Sequence, residues 1–191
     1  MSAATRLVIV GGPNGAGKTT LSRQLVEDWG LLYLGADEVA AEMGLGSTGG
    51  DAVRAGRLFL ERIEKAVKAR HPVLVESTLS GLGTTRLIRR FREAGYLISV
   101  HLVFVDSADE CVARIQGRVL KGGHHVPEAD VRRRFRRSLT NFWTRYRFEA
   151  DRWRLYYNGA VGPTLVTFGE GQEALVADPP RFQRFLRLLE A

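Results

Sequence analysis

The segment GGPNGAGKTT, from Gly11 to Thr20, constrains the fold and the chemistry of this chain more than any other. It follows the apolar run Leu7–Val10 and precedes a segment whose apolar residues recur at helical spacing. Counting from Gly11, it fits the pattern G-x-x-x-x-G-K-[ST], which is typical of a phosphate-binding loop between a strand and a helix. The sequence therefore predicts a strand, a phosphate-binding loop and a helix, in that order.

In such a loop the backbone N–H groups and the positive end of the helix dipole face the anion. Lys18 is expected to lie beside the β- and γ-phosphates of ATP or GTP, and the Thr19 hydroxyl to bind Mg²⁺. The residues predicted to hold the nucleotide are Gly12, Pro13, Asn14, Gly15, Ala16, Gly17, Lys18, Thr19 and Thr20. The competing interpretation, a glycine-rich turn without a ligand, is the weaker one because the flanking segments also fit.

Apolar runs alternate with helical patterns along the chain, which is typical of a mainly parallel sheet with helices on both faces. We predict an α/β fold of the P-loop NTPase class, with a five-stranded sheet in a single domain over residues 1–191. The predicted strands are Arg6–Val10, Leu31–Leu34, Val73–Val75, Ile98–Val105 and Thr164–Thr167. Ser107 and Glu110 fit a capping box at the start of a helix, and Asp178–Glu190 fits a closing helix.

Composition narrows the class of protein further. No stretch approaches the roughly 18 consecutive apolar residues of a membrane span, and the first strand follows the N-terminus without a leader, so we expect a cytoplasmic protein. The single cysteine, Cys111, excludes an internal disulfide and is expected to be a small buried residue.

Positive charge is concentrated late in the chain. The net charge is +7, and nine arginines fall between Arg132 and Arg154. Such a stripe fits a solvated helix face, a polyanion-binding patch or a lid that closes on phosphates. Because a phosphate loop lies upstream, the lid and the solvated helix face are favoured equally, and a nucleic-acid surface ranks below both. We place the lid at about 118–137.

Asp37 follows the second predicted strand, where a parallel sheet presents polar residues to a ligand. Its carboxylate is suited to accept the proton of an acceptor hydroxyl as that oxygen attacks the γ-phosphate. A helix cap at Glu38 is the alternative role for Asp37. We favour the general base.

Glu76 ends the third predicted strand and precedes Thr78. A carboxylate there suits indirect positioning of Mg²⁺ or a hydrogen bond to a polar substrate, and Thr78 is expected to share the substrate contact. Asp106 is the competing magnesium candidate, but the capping of a helix already explains it. Glu76 is therefore ranked higher.

Arg118 and the cluster Arg132–Arg134 flank the segment KGGHHVP. Arginines on both sides of a flexible turn suit a lid that neutralises a transferred phosphoryl group and excludes water. His124 and His125 lack metal-ligand spacing and are treated as loop residues.

Together these segments resemble the zeta-toxin family of P-loop kinases. The resemblance rests on GGPNGAGKTT, on the Asp37 segment, on ESTL at Glu76 and on the run from Arg118 to Asn141. It implies transfer of phosphate from ATP or GTP, with Mg²⁺, to a hydroxyl of UDP-N-acetylglucosamine. It also implies Lys18 on phosphate, Asp37 as base, Glu76 and Thr78 on substrate, and Arg118 with one of Arg132–Arg134 on the γ-phosphate. We assign Arg134, although a shift of one residue changes the choice. The chain is short and its GGHHVPE segment differs from that of the toxins, so neither toxicity nor an antitoxin partner is inferred.

Two other functions stay open at this stage. A nucleic-acid 5′-hydroxyl kinase would use the same machinery, with the arginine-rich helix tracking the backbone, but no stacking platform for bases is evident. A nucleotide-dependent binding module or switch would need the phosphate loop and no acceptor. The leading prediction is a small-molecule kinase with a nucleotide-sugar substrate and no membrane partner.

Overall fold

The computed structural model describes residues 5–35, 49–123, 125–171 and 173–190, which form one seven-stranded sheet with helices packed around it. The strands are β1 (Arg6–Gly11), β2 (Leu32–Leu34), β3 (Val73–Ser77), β4 (Leu97–Phe104), β5 (Arg152–Gly159), β6 (Gly162–Glu170) and β7 (Glu173–Val176). The helices are α1 (Lys18–Trp29), α2 (Gly49–Lys68), α3 (Gly83–Glu93), α4 (Ala108–Val119), α5 (Glu128–Asn141), α6 (Arg147–Glu149) and α7 (Pro179–Glu190). A π-helical turn, Phe142–Tyr146, joins α5 to α6.

The sheet order is β2-β3-β1-β4-β5-β6-β7, and the pairs from β2 through β5 are parallel. Strands β6 and β7 add antiparallel pairs at one side. The strand that leads into the phosphate loop, β1, lies between β3 and β4. Since parallel strands end at the same edge, Glu76 of β3 and Asp106 after β4 come to the same edge as the phosphate loop.

The predicted α/β class is confirmed, but the number of strands is seven where the sequence analysis expected five. Segment Thr164–Thr167 lies inside β6, and two strands, β5 and β7, were missed. In β5, Trp153 and Leu155 are fully buried and alternate with arginines, a period of two that the arginine-rich composition obscured. All four residues of β7 are exposed, so it carries no alternation to detect.

The side chains of β1 alternate between two cores, as a central strand requires. Leu7 and Ile9 face the cluster that includes residues of α2, α3, α4, α5 and α7, whereas Val8 and Val10 pack with Leu21 of α1. Helices therefore cover both faces, as expected. Among the described residues, none of the helices combines the length and the apolar character that crossing a membrane requires.

Helix α4, which contributes to the site below, begins at the predicted cap. The Glu110 amide donates to Ser107 Oγ at 3.1 Å, and the Glu110 carboxylate accepts from the amide of Asp106 at 3.2 Å. This arrangement satisfies backbone donors at the helix start and fixes the entry of α4 beside the end of β4. The predicted closing helix is also present, as α7, with Phe185 fully buried.

His101 of β4 makes the fold sensitive to acid. Its side chain is fully buried between Trp29 and Tyr156, and burial, with a smaller contribution from Arg154, lowers the pKa of His101 to about 3. As the pH falls below about 6.5, His101 binds a proton in the unfolded chain but stays neutral in the folded chain. The free energy of unfolding is therefore highest above that pH and decreases as the pH falls. We expect the free energy of unfolding to drop by about 1 kcal/mol between pH 6 and pH 5.

Urea unfolding at a series of pH values measures this slope. The control is His101→Gln, which has no titrating ring and should flatten the slope in that window whatever its own stability. An equal slope in both proteins would contradict the assignment to His101.

Candidate active site

The phosphate loop has the conformation that its glycines permit. Gly12 and Gly17 have φ values of 143° and 93°, which side chains of other residues disfavour. A Cβ at Gly12 would lie 2.3 Å from the carbonyl oxygen of Val103, and one at Gly17 would lie 2.0 Å from Asn158 Nδ2. The loop is therefore packed against the ends of β4 and β5, and its path excludes larger residues at these positions.

The side chain of Lys18 is held by backbone carbonyl groups of the phosphate loop. Its ammonium donates to the carbonyl oxygens of Gly12 and Pro13, both at 3.0 Å. The loop faces a cavity of about 400 Å³. The cavity is lined by Asn14, Gly15, Gly17, Lys18, Thr19, Tyr33, Gly35, Glu76, Ser77, Thr78, Arg114, Ile115 and Arg118. Of the remaining predicted loop residues, Gly12, Pro13 and Thr20 are not part of this lining, and Ala16 is fully buried.

Thr19 and Glu76, which lie far apart in the sequence, meet at the floor of the cavity. Thr19 Oγ1 donates to Glu76 Oε2 at 3.3 Å. The other carboxylate oxygen, Oε1, is buried and has no hydrogen-bond partner within the described ranges. A buried carboxylate oxygen without a donor is costly, which points to a cation or a donor from a ligand. A hydroxyl beside a carboxylate is also the type of donor set that Mg²⁺ accepts.

Asp106, the competing magnesium candidate, is engaged elsewhere. Its carboxylate accepts from the Tyr157 hydroxyl at 2.9 Å and from Arg184 Nε at 3.1 Å. It does not line the cavity. Of the two carboxylates, Glu76 is the one that lines the cavity.

Helix α4 brings two arginines to the cavity wall, Arg118 and Arg114. Arg114 donates to Glu110 Oε1 at 2.6 Å and to the carbonyl oxygen of Asn158 at 2.9 Å, so its guanidinium is fixed in place. Arg118 was predicted from the sequence, whereas Arg114 was not. The signal was available, because residues four apart on a helix share a face.

The three adjacent arginines of α5 differ in their contacts, although Arg133 and Arg134 both pair with Asp130. Arg134 Nη1 donates to Asn14 Oδ1 of the phosphate loop at 3.1 Å. Arg132 pairs with Asp109 and Glu128, and Arg133 pairs with Asp130. Among the three, therefore, Arg134 is the one whose guanidinium contacts the phosphate loop.

The remaining predicted residues divide into two groups. Thr78 lines the cavity, and its hydroxyl lies 2.8 Å from that of Ser80. Asp37 and His124 lie outside the described residues. Gly35, two positions before Asp37, is described and lines the cavity.

Two further residues shape the site and were missed. Tyr33 lies on β2 and lines the cavity. Asn158, at the end of β5, donates from Nδ2 to the carbonyl oxygen of Ala16 at 2.8 Å and so supports the loop from below. Tyr33 could have been predicted as a site residue, because it is an aromatic residue close in sequence to Asp37. Asn158 had none, because its strand was not recognised.

Cys111 lies behind the phosphate loop and does not act as a reactive thiol. It is fully buried, and a Cβ at Gly15 would lie 2.5 Å from its carbonyl oxygen. Burial raises the pKa of the Cys111 thiol to about 12, which keeps it protonated at neutral pH. The expectation of a small buried residue is confirmed.

Comparison with solved structures supports the fold. The AvrRxo1-ORF1:AvrRxo1-ORF2 complex with ATP matches with a TM-score of 0.72 at 16% identity, over 96% of this chain and 64% of the matched chain. The PezAT toxin-antitoxin system of Streptococcus pneumoniae matches with a TM-score of 0.69 at 16% identity, over 100% of this chain and 89% of the other. At such identities the similarity establishes the fold alone.

Sequence comparison identifies the family. An uncharacterised protein of Haemophilus influenzae is 28% identical over 124 residues, which are 65% of this chain and 88% of the relative. The family model described as AAA domain (AAA_33) matches residues 7–141, well over half of the chain. This match spans the phosphate loop, Glu76, Arg118 and Arg134. The chain therefore belongs to the AAA domain family AAA_33 and has a P-loop, kinase-like α/β fold.

Proposed function

We propose that this protein is a kinase that transfers the γ-phosphate of ATP or GTP to a hydroxyl of a small molecule, with a UDP-amino sugar such as UDP-N-acetylglucosamine as the substrate class. One observation carries the proposal. The phosphate loop, the Thr19–Glu76 pair and the arginines of α4 face a single cavity, and Arg134 of α5 touches the loop at its side. A binding module needs the loop alone, whereas these additional groups suit charge that develops during transfer.

The cations have distinct roles in this scheme. Lys18 leaves its two backbone acceptors to bind the β- and γ-phosphates. Arg118 and Arg114 act from the wall of the cavity, and Arg134 acts from the side of Asn14. Arg114, which Glu110 and the carbonyl group of Asn158 already hold in place, would stabilise the transferred phosphoryl group with little reorganisation.

Thr19 and Glu76 would hold Mg²⁺, the hydroxyl directly and the carboxylate directly or through water. The unsatisfied Oε1 atom of Glu76 supports this assignment. When bound, Mg²⁺ draws charge from the β- and γ-phosphate oxygens and so favours transfer.

We assign Asp37 and Thr78 to the acceptor hydroxyl. Asp37 removes the proton of that hydroxyl as its oxygen forms a bond to the γ-phosphorus and the bond to the β-γ bridging oxygen breaks. Thr78 lines the cavity beside Glu76, as a residue that orients the acceptor should. Similarity to the structure solved with ATP supports ATP as donor, and the resemblance to zeta toxins supports the sugar acceptor.

The decisive experiment follows the fate of the labelled γ-phosphate. Purified protein is incubated with γ-labelled ATP and Mg²⁺, with and without UDP-N-acetylglucosamine, and products are separated by chromatography and identified by mass spectrometry. We expect a phosphorylated UDP-sugar from the wild-type protein and about 10²-fold less from Lys18→Ala. Release of inorganic phosphate alone, at a rate that no acceptor changes, would contradict the proposal.

A second candidate, a nucleic-acid 5′-hydroxyl kinase, is favoured by one observation. Arg136 and Arg137 of α5 are exposed and have no ion-pair partner in the described part of the chain. The same assay should therefore include a 5′-hydroxyl oligonucleotide. If phosphate is transferred to the oligonucleotide, and if the rate of that transfer falls steeply as the salt concentration is raised, then a nucleic acid and not a sugar is the acceptor.

A further inference from the structure

The 77–81 loop, which begins at Ser77, the last residue of β3, has an unusual backbone at Leu79. This residue has a φ of 54°, in the left-handed region that leucine rarely occupies, and its side chain is buried. The side chain fills the space above Gly11, where a Cβ would lie 2.1 Å from Leu79 Cδ1. The 77–81 loop is thus seated on the strand that leads into the phosphate loop, in a conformation that its surroundings must maintain.

Those surroundings are supplied by the C-terminal part of α5 and the turn after it. Asn141 Nδ2 donates to the carbonyl oxygen of Leu79 at 2.8 Å. The Tyr146 hydroxyl donates to the carbonyl oxygen of Gly81. The Ser138 hydroxyl is in reach of the carbonyl oxygens of Thr78 and Arg134, and its single proton serves one of them at a time. Three side chains from one helical segment therefore contact three carbonyl groups of the 77–81 loop, those of Thr78, Leu79 and Gly81.

The same helix also contacts the phosphate loop. Arg134 lies two turns before Asn141 and donates to Asn14 of the phosphate loop. Seven residues of an α-helix span about 10 Å, so α5 links these two contact points as a rigid rod. Phe135 and Leu139 of α5 are buried in the core and fix its position.

We propose that α5 is a positioning element, in which Asn141 sets the place of the 77–81 loop, and with it Thr78, relative to the phosphate loop that Arg134 contacts. This inference rests on the proposed function, because it assigns the 77–81 loop to the acceptor. Binding of nucleotide draws Arg134 toward the phosphates, and the rigid helix transmits that constraint through Asn141 to the loop. Small displacements of an acceptor from its line of attack lower the rate of transfer steeply.

Asn141 is the residue that allows a test. Ser138 and Tyr146 are fully buried, so their removal would disturb the core as well. Asn141 is half-buried, and its replacement by alanine deletes one donor. Thr140→Ala is the matched control, since Thr140 lies on the same turn and its side chain has no hydrogen bond within the described ranges, while its backbone carbonyl keeps the bond from Thr144.

Two measurements on the full chain are needed. In the transfer assay, Asn141→Ala is expected to lower kcat about 10-fold to 100-fold, with the Kd for ATP unchanged within about twofold. In hydrogen exchange, addition of a non-hydrolysable ATP analogue and Mg²⁺ should slow exchange of the amides at 77–82 in the wild-type protein and in Thr140→Ala. That protection should disappear in Asn141→Ala, while protection of α1 persists.

Protection of 77–82 that survives in Asn141→Ala would overturn the inference. So would an unchanged kcat, or losses that appear equally in ATP affinity and in global stability, because these indicate a merely structural role. Absence of transfer to any acceptor by the wild-type protein would instead contradict the proposed function. The exchange measurement would still decide whether α5 couples the two loops.

Discussion

Replacing Arg134 with alanine is expected to lower kcat for phosphoryl transfer about 10³-fold, the scale on which arginines act on transferred phosphoryl groups. Arg134 donates from Nη1 to Asn14 of the phosphate loop, while its Nη2 atom lies 3.5 Å from Asp130 Oδ2. Steady-state kinetics with a phosphorylated product as the readout measure the change. The Kd for ATP should change much less, because the guanidinium acts chiefly on charge that develops in the transition state.

Arg133→Ala provides the matched control. Arg133 has the same side chain, lies on the same turn of α5 and also pairs with Asp130. It is more exposed, and no hydrogen bond joins it to the phosphate loop among the described residues. Removing it should change kcat by less than about twofold, since exposed ion pairs contribute little. A large loss in Arg133→Ala, or none in Arg134→Ala, would place the wrong arginine at the phosphate.

The sequence predicted the centre of the fold because local and global signals agree there. Strand β1, the phosphate loop and α1 carry a hydrophobic period, glycines at positions of positive φ and a fixed motif, all within residues 6–29. The signals weaken toward the edge of the sheet. Strand β5 presents arginines between buried aromatic and aliphatic residues, and β7 is exposed throughout, so neither displays the apolar run that identified the other strands.

Site residues were predictable from the sequence where they lie at the end of a recognisable strand. Glu76 ends an apolar strand, and parallel topology brings it to the phosphate loop. Arg134 was selected by resemblance, although its helical spacing from the buried Val131 and Ser138 also indicates an inward face. Contacts such as Asn141 with Leu79 and Asn158 with Ala16 join residues 62 and 142 positions apart. No local pattern encodes such pairings, because they depend on how the elements pack.

Replacing Asp37 with asparagine is expected to lower kcat at least about 10²-fold, within the range for loss of a general base. Asparagine keeps the size of the side chain but cannot accept the proton of the acceptor hydroxyl. Transfer rates at saturating ATP and acceptor measure the loss. ATP affinity should be unchanged, because the proposed role of Asp37 concerns the acceptor.

This substitution also separates the two roles proposed for Asp37. Asparagine caps helices as well as aspartate does, so Asp37→Asn would preserve a cap before Glu38 and would leave both kcat and the melting temperature unaltered if capping were the whole role. Asp37→Ala removes both functions and reports their sum. If Asp37 is the general base, Asp37→Asn and Asp37→Ala should lose nearly the same activity. If Asp37 also caps a helix, only the alanine variant should have a lower melting temperature. Wild-type activity in Asp37→Asn would require another group to accept the proton, and Glu76, which lines the cavity and whose Oε1 atom has no hydrogen-bond partner among the described residues, would be the next residue to replace.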